Sequence, residues 1–214
     1  GSVVDGGKYN KRCMKLDVNN NNLSVSTANN SLYMGDAYSW SVAMWVKLTE
    51  IPKTNDIFFW AKTNNRNYTT ANSSMLIVDN SDNDYIKFRH NNTDGTTLSS
   101  SYSMPLNKWT HLAVTKGLST LNDNVVSVYT DGLLRARQQI AMASVAANHK
   151  FEIGVGYDGT NHYSMNGFVD DFRFYDTILN DQEIYKLFSN ETKVGPLVHY
   201  TFEEGPTANV VQDL

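Results

Sequence analysis

The sequence predicts an all-β fold, a two-sheet antiparallel β-sandwich with one short helix. Short segments of alternating apolar and polar residues recur along nearly the whole chain, separated by Asn- and Asp-rich stretches such as NNNN and DNSDND. This spacing is typical of a sandwich rather than of alternating β and α units. The composition agrees, because 25 asparagines and many Ser and Thr residues favour turns and oppose helix interiors.

Twelve segments are predicted to be strands, since most combine a period of two with β-branched or aromatic residues. In chain order they are CMKLDV (13–18), NLSVST (22–27), SWSVAMWVKL (39–48), IFFWAKT (57–63), SMLIVD (74–79), YIKFRH (85–90), TLSSSYSM (97–104), WTHLAVT (109–115), VVSVYTD (125–131), FEIGVG (151–156), VDDFRFYD (169–176) and LVHYTFEE (197–204).

Residues 106–136 contain the clearest hairpin signal. Within 109–115 the odd-numbered residues fall on one face of a strand and the even-numbered residues on the other. Asp131-Gly132 is predicted to form a type I′ turn, which needs a positive φ at both central residues. Four apolar residues around that turn are expected to pack on one sheet system: Val126, Val128, Leu133 and Leu134.

A single stretch, TILNDQEIYKLFSN, predicts a helix. Asn180 is placed as its N-cap, and Glu183 three residues later completes a capping box. Ile184, Leu187 and Phe188 follow at helical spacing, so the helix should lie over one edge of the sandwich.

Composition and charge exclude several classes of protein. The net charge is −4, and no Lys/Arg run is present, so a nucleic-acid partner is not expected. No run of about 18 apolar residues predicts a membrane span, and no signal peptide is recognisable. The single cysteine, Cys13, excludes an intrachain disulfide and is predicted to be an inert buried thiol.

Four segments resemble the laminin-G-like (concanavalin A-like) jelly-roll family. They are YSWSVAMWVKL (38–48), LNKWTHLAVTKG (106–117), VVSVYTDGLL (125–134) and the closing block IGVGYDG…NGFVDDFRFYDTILNDQEIYKLF (153–188). The resemblance spans roughly residues 13–190 and implies the concanavalin A-like jelly roll.

The whole chain, 1–214, is predicted to be a single domain, with 1–12 as an N-terminal lead. LVHYTFEEG (197–205) resembles the strand with which many such domains begin, yet it lies near the C-terminus. It either starts a following repeat or closes the sheet. We favour the closing strand, and expect it to pair with CMKLDV and to cover an open edge.

No catalytic signature is recognisable. Glucanases with this fold use an E-x-D-x-x-E strand, whose carboxylates project to one side. Here the nearest acidic pairs are Glu203-Glu204 and Asp170-Asp171, whose neighbouring residues point to opposite faces of a regular strand. The chain is therefore predicted not to be an enzyme.

A structural calcium site is implied by the resemblance. In that family a site at the rim often joins an Asp after the first core strand to the Asp of the closing motif, which here are Asp17 and Asp170. Oxygen ligands suit calcium, and Asn20 beside Asp17 could supply another. The alternative is that Asp17 opens an Asx turn and Asp170 hydrogen-bonds a loop.

Sugar binding needs exposed aromatic faces beside amides or carboxylates. The loop GYDGTNHYSMNG (156–167) offers such a group, and a second cluster could form from Trp60, Arg66, Asn67 and Tyr68. The four tryptophans are otherwise expected to be mostly core residues. The predicted ligand-binding residues of the loop are Tyr157, Asp158, Asn161, His162 and Tyr163.

Together these features predict a non-catalytic recognition module of a larger secreted or surface protein, located outside the cell, on the cell surface or on a virion. Its expected partner is a glycan or a glycoprotein, beside neighbouring domains of the parent chain. Two alternatives stay open: a protein-binding adhesion, assembly or spacer module, and a glycoside hydrolase or lyase with a dispersed site.

Overall fold

The computed structural model describes residues 2–9, 11–17, 23–25, 32, 34, 38–63, 69, 73–90, 97–118, 124–140, 142, 149–191 and 195–203. Each of the twelve predicted segments contains a strand, although FEIGVG (151–156) is divided between two, and the described residues add further strands. The strands are Ser2–Asp5 (β1), Arg12–Leu16 (β2), Leu23–Val25 (β3), Trp40–Leu48 (β4), Ile57–Thr63 (β5), Ser74–Asp79 (β6), Tyr85–His90 (β7), Thr97–Ser103 (β8), Thr110–Leu118 (β9), Asn124–Thr130 (β10), Leu133–Ile140 (β11), Lys150–Ile153 (β12), Val155–Tyr157 (β13), His162–Ser164 (β14), Gly167–Tyr175 (β15) and Val198–Tyr200 (β16).

The strands form two large antiparallel sheets and one small one, as the sandwich prediction requires. Sheet A has the order β1-β2-β15-β4-β9-β10-β11, and β16 also pairs with β15. Sheet B has the order β3-β12-β5-β6-β7-β8, and β13 and β14 form a separate hairpin. The predicted lead, 1–12, thus contributes a strand of its own, β1.

The inner faces of sheets A and B enclose the main core. Trp40 and Trp60 meet edge to face at 6.1 Å, and Trp60 stacks on Phe151 at 5.4 Å. Cys13 is fully buried, as predicted, and burial raises the pKa of its thiol to about 11. Of the four tryptophans only Trp109 is partly exposed.

The hairpin between β10 and β11 has the predicted turn. Asp131 and Gly132 have φ values of 49° and 74°, and Thr130 pairs with Leu133 across them. The expectation that Leu133 and Leu134 pack beside Val126 and Val128 is wrong, because the two leucines are 52% and 40% exposed. Both leucines lie at the start of β11, the edge strand of sheet A, where fewer neighbouring side chains cover them.

The predicted helix, α1, spans Asp181–Ser189. The Asn180 side chain accepts hydrogen bonds from the backbone N–H groups of Gln182 and Glu183, and the Glu183 carboxylate accepts one from the N–H of Asn180. Ile184 and Leu187 are buried on the outer face of sheet A. Burying each of them contributes roughly 1.5–3 kcal/mol, which holds the short helix on the sheet.

The closing strand, β16, lies in sheet A but not where it was expected. Phe172–Phe174 of β15 pair with Val198–Tyr200, whereas CMKLDV pairs with Gly167–Val169 of β15. The predicted pairing of 197–205 with CMKLDV is therefore wrong. Both strands share one edge of β15, because that strand is nine residues long and has room for them in succession.

Candidate functional site

The β13–β14 hairpin contains all five predicted ligand-binding residues. Its four-residue turn is held by Asp158, whose carboxylate accepts hydrogen bonds from the backbone N–H of Thr160 at 2.7 Å and of Asn161 at 2.6 Å. The Asn161 amide and the Tyr163 hydroxyl also donate to it. These bonds, led by that from the Asn161 backbone, hold the pKa of Asp158 far below its usual range. Asp158 therefore orders the turn from within.

Two aromatic rings lie together at the tip of this hairpin. Tyr157 and His162 face each other across the strand pair, and their rings stack at 4.6 Å with an interplanar angle of 26°. The Tyr157 hydroxyl donates to the carbonyl of Gly159 at 2.6 Å. Since His162 and Asn161 are exposed, the tip presents a ring and an amide side by side. Stacking surfaces beside hydrogen-bonding groups suit a pyranose ring.

The base of the hairpin is anchored on the outer face of sheet B. The Gly156 backbone lies so close to Phe58 that a Cβ there would be 2.5 Å from the ring. Tyr163 packs on the same ring at 6.1 Å between centroids. Tyr163 is therefore a support with its hydroxyl on Asp158, and Tyr157, Asn161 and His162 form the outward surface.

Trp60, which was predicted to belong to the second cluster, is not a surface residue. That side chain is fully buried in the main core, where it stacks on Phe151. The other members, Arg66, Asn67 and Tyr68, lie outside the described residues. Trp60 points inward because a bulge in β5 between Phe58 and Trp60 changes the face on which the following residues lie.

A network of charged residues on the outer face of sheet B is absent from the sequence-based prediction. Asp79 accepts from Lys87 Nζ at 3.0 Å and from Arg89 Nη2 at 2.6 Å, and Arg89 also reaches Asp56 at 2.9 Å. Burial alone would raise the pKa of Asp79, but hydrogen bonds from Ser81 and Lys87 and the charge of Arg89 lower it to about 2. The sequence offered one signal for this network: Lys87 and Arg89 are two residues apart on a predicted strand and therefore share a face. The network holds the turn between β6 and β7.

Two of the three predicted calcium ligands, Asp17 and Asp170, are not brought together. Asn20 lies outside the described residues. The β2–β15 register pairs Leu16 with Gly167, so Asp17 and Asp170 are offset by four residues, roughly 13 Å at 3.3 Å per residue. Calcium ligands lie about 2.3–2.6 Å from the ion, so the two carboxylates do not fit one shared ion.

Asp170 instead holds the N-terminal turn. Its carboxylate accepts the backbone N–H of Lys8 at 2.8 Å and is almost fully buried. Burial raises the pKa of Asp170 to about 7, opposed by the Lys8 hydrogen bond and reinforced by the charge of Asp171. Among the described residues, no group of three or more His, Cys, Asp and Glu side chains is arranged to hold a metal ion.

Asp170 and Asp171 break the strand alternation that the sequence implies. Asp171 has a φ of 49°, and the β15–β4 register shifts between Asp170 and Arg173. Asp171 accepts from Arg173 Nε at 2.9 Å and contacts His199 Nε2 at 2.6 Å. Each carboxylate thus ties a terminal segment to β15, Asp170 the N-terminal turn and Asp171 the strand β16.

The comparisons with known proteins agree with this architecture. Residues 19–185 match the family model of laminin-G type described as the concanavalin A-like lectin/glucanases superfamily. The chain belongs to the concanavalin A-like superfamily. No curated protein sequence matches this chain.

Several solved structures share this concanavalin A-like fold. One is a native heptameric SAP-like pentraxin from Limulus polyphemus, with 16% identity, a TM-score of 0.58 and coverage of 82% of this chain and 80% of the pentraxin. Another is domain 4 of a GH43 extracellular arabinanase from Geobacillus stearothermophilus in complex with arabinotriose, with 17% identity, a TM-score of 0.61 and coverage of 87% and 81%. At these identities the likeness shows the fold.

A third similar structure is that of botulinum neurotoxin type C, whose cell entry depends on interaction with two ganglioside molecules. It has 14% identity and a TM-score of 0.63, and the match covers 90% of this chain and 45% of the toxin chain. This chain therefore spans about half of that structure.

On the concanavalin A-like scaffold of this chain, the middle of the outer face of sheet B is closed by apolar packing. Four side chains there are at most 2% exposed and form a cluster against Tyr163: Phe58, Ala61, Met75 and Ile77. In the described part of the chain, no helix is long and apolar enough to cross a membrane.

Proposed function

We propose that this chain is a non-catalytic carbohydrate-binding module of a larger secreted or surface protein. The observation that carries the proposal is the exposed tip of the β13–β14 hairpin, where the stacked rings of Tyr157 and His162 lie beside Asn161. Asp158 fixes this surface before any ligand arrives, which lowers the entropy cost of binding.

The similar structures add support of a second kind. The arabinanase domain was solved with arabinotriose, and the neurotoxin depends on gangliosides. Both are carbohydrate-containing ligands, so a glycan or glycoprotein is the partner we infer. The extracellular arabinanase also supports a location outside the cell, on the cell surface or on a virion.

The test is an oligosaccharide array with the intact chain and two variants, Tyr157→Ala and His162→Ala. We expect each variant to weaken binding about tenfold, because an aromatic stacking contact is worth about 1 kcal/mol or more beyond its buried area. Tyr38→Ala removes an exposed tyrosine outside the hairpin and is expected to bind like the unmodified chain. The proposal fails if the intact chain binds no oligosaccharide on the array.

An alternative function, protein adhesion or assembly, is favoured by one specific observation. Leu133, Leu134 and Tyr185 are each at least 40% exposed and line a single groove beside α1. Exposed apolar side chains that share a patch mark interaction surfaces. Self-association in analytical ultracentrifugation that is abolished by Leu133→Ser would favour this function over carbohydrate binding.

Enzyme activity is the least supported function. On the outer face of sheet B, the buried cluster of Phe58, Ala61, Met75 and Ile77 is apolar and supplies no acid or base. Turnover of any member of a polysaccharide panel would overturn the non-catalytic assignment.

A further inference from the structure

A groove of about 600 Å³ lies on the outer face of sheet A, whereas the β13–β14 hairpin packs on the outer face of sheet B. Its floor is a row of polar side chains across three strands, because Ser127 on β10 pairs with Thr115 on β9 and with Arg137 on β11. Its wall is the segment 178–182, which leads into α1. This segment can pack closely on β9 because Gly117 has no side chain. A Cβ at that position would lie 2.5 Å from Ile178 Cδ1.

The polar groups of the groove are already fixed in place. Arg137 donates from Nε to Ser127 Oγ at 2.8 Å, and from Nη2 to the Tyr129 hydroxyl at 3.0 Å and to Asp181 Oδ1 at 2.6 Å. The Tyr129 hydroxyl donates to the same Asp181 oxygen at 2.8 Å. Ser127 and Tyr129 are buried, whereas the side chains of Arg137 and Asp181 are 46% and 57% exposed. Buried hydroxyls thus orient an exposed donor and acceptor pair.

This pair leaves hydrogen-bonding capacity toward the groove. Among the described residues only Oδ1 of Asp181 is engaged, and Nη1 of Arg137 makes no hydrogen bond, so one acceptor oxygen and one donor nitrogen of this ion pair remain unused. Neighbouring hydroxyls of a sugar ring need this combination, since each hydroxyl both donates and accepts. Val125 and the half-exposed Ile178 add an apolar surface for C–H groups.

The charges of the groove favour a neutral ligand. The positive charge of Arg137 and the negative charge of Asp181 cancel. Asp181 stays ionised, because the hydrogen bond from Tyr129 lowers its pKa; desolvation opposes this effect, and Arg137 reinforces it. The N-terminus of α1 is closed by its own capping box. An anionic ligand would therefore have to displace Asp181 from Arg137.

We propose that this groove is a binding site for a short neutral oligosaccharide, held by Arg137 and Asp181. The volume lies within the range of roughly 300–1,000 Å³ that is usual for small-molecule sites. This site rests on the proposed carbohydrate-binding function but is separate from the hairpin tip.

The test uses an array of neutral oligosaccharides (lactose, N-acetyllactosamine, maltotriose and arabinotriose) and of 3′-sialyllactose as the acidic partner of lactose. The intact chain is compared with Arg137→Gln, Asp181→Asn and the control Arg135→Gln. Arg135 lies on the same strand, but its guanidinium packs on Tyr102 at 4.7 Å. We expect binding of a neutral member, weakened at least tenfold by Arg137→Gln and by Asp181→Asn and changed less than twofold by Arg135→Gln. Unchanged melting temperatures show that the variants fold.

Three outcomes separate this site from the proposed function. No binding by the intact chain overturns both. Binding that survives Arg137→Gln and Asp181→Asn but is lost in Tyr157→Ala overturns the groove and leaves carbohydrate binding at the hairpin. If the chain binds 3′-sialyllactose but none of the neutral oligosaccharides, the inference that the ligand is neutral is overturned.

Discussion

Lys62 places a primary amine between the two sheets. Its side chain is 2% exposed, and Nζ donates to the carbonyl of Leu32 at 2.6 Å. Burial lowers the pKa of this amine from 10.5 to about 8, since the charged form loses its hydration. The folded state therefore carries a protonated lysine at neutral pH at a cost in stability.

This cost predicts a pH dependence of stability. Between pH 8 and 10.5 the unfolded chain keeps the proton that the folded chain has released, so the Lys62 contribution to stability rises with pH. We expect the unfolding free energy of the unmodified chain, relative to Lys62→Met, to increase by roughly 2–3 kcal/mol from pH 7 to pH 10, at about 1.36 kcal/mol per pKa unit. Urea denaturation of both proteins at the two pH values measures it. A constant difference would show that the amine is not desolvated.

Single residues differ in how far the sequence reveals their role. The capping box of Asn180 and Glu183 was predictable, because all its partners lie within four residues. The burial of Lys62 was not, since its only sequence-level signal is a polar residue at an inward position of a strand. In the hairpin, Tyr163 was predicted as a ligand residue, yet its support of Phe58 depends on contacts distant in sequence.

At the scale of elements, a period of two identifies a strand but not its neighbour. Each of the twelve predicted segments contains a strand, yet β16 pairs with β15 rather than with β2. The deciding feature is the irregular stretch at Asp170-Asp171, after which the edge of β15 is free for a second partner. Positive φ at Asp171 carries no signature in the sequence. The separate β13–β14 hairpin was likewise not predicted, because β13 starts within the predicted strand 151–156 and β14 lies in the predicted loop 156–167.

The position of β16 predicts that the C-terminal segment is part of this folded unit. Phe202 is fully buried, and Tyr200 stacks on Phe172 at 6.0 Å. We expect Phe202→Ala to lower the free energy of unfolding by about 3–5 kcal/mol, the usual cost of removing a buried phenylalanine. Thr201→Ala, a half-buried neighbour, should change it by less than about 0.5 kcal/mol. If Phe202→Ala and Thr201→Ala change the free energy of unfolding equally in urea denaturation, the segment does not belong to this folded unit.

For the whole molecule, the fold and the proposed groove site depend on different information. The two-sheet architecture follows from strand patterning repeated over the chain, so many local signals agree. The proposed groove, unlike the local hairpin tip, depends on residues brought together by topology, namely Thr115, Ser127 and Arg137 across three strands. Sequence spacing alone does not show that these three form one surface.

Calcium binding is a prediction of this whole-molecule kind, because two of its predicted ligands, Asp17 and Asp170, are far apart in the sequence. If the chain binds calcium, 1 mM CaCl₂ should raise its melting temperature over that in EDTA. At 100 times the dissociation constant the stabilisation is about 2.7 kcal/mol, or roughly 5–10 °C for a chain of this size. Since Asp17 and Asp170 are offset by four residues, only one of Asp17→Asn and Asp170→Asn should abolish the shift. Differential scanning fluorimetry measures it, and equal melting temperatures in calcium and EDTA would show that the calcium prediction is wrong.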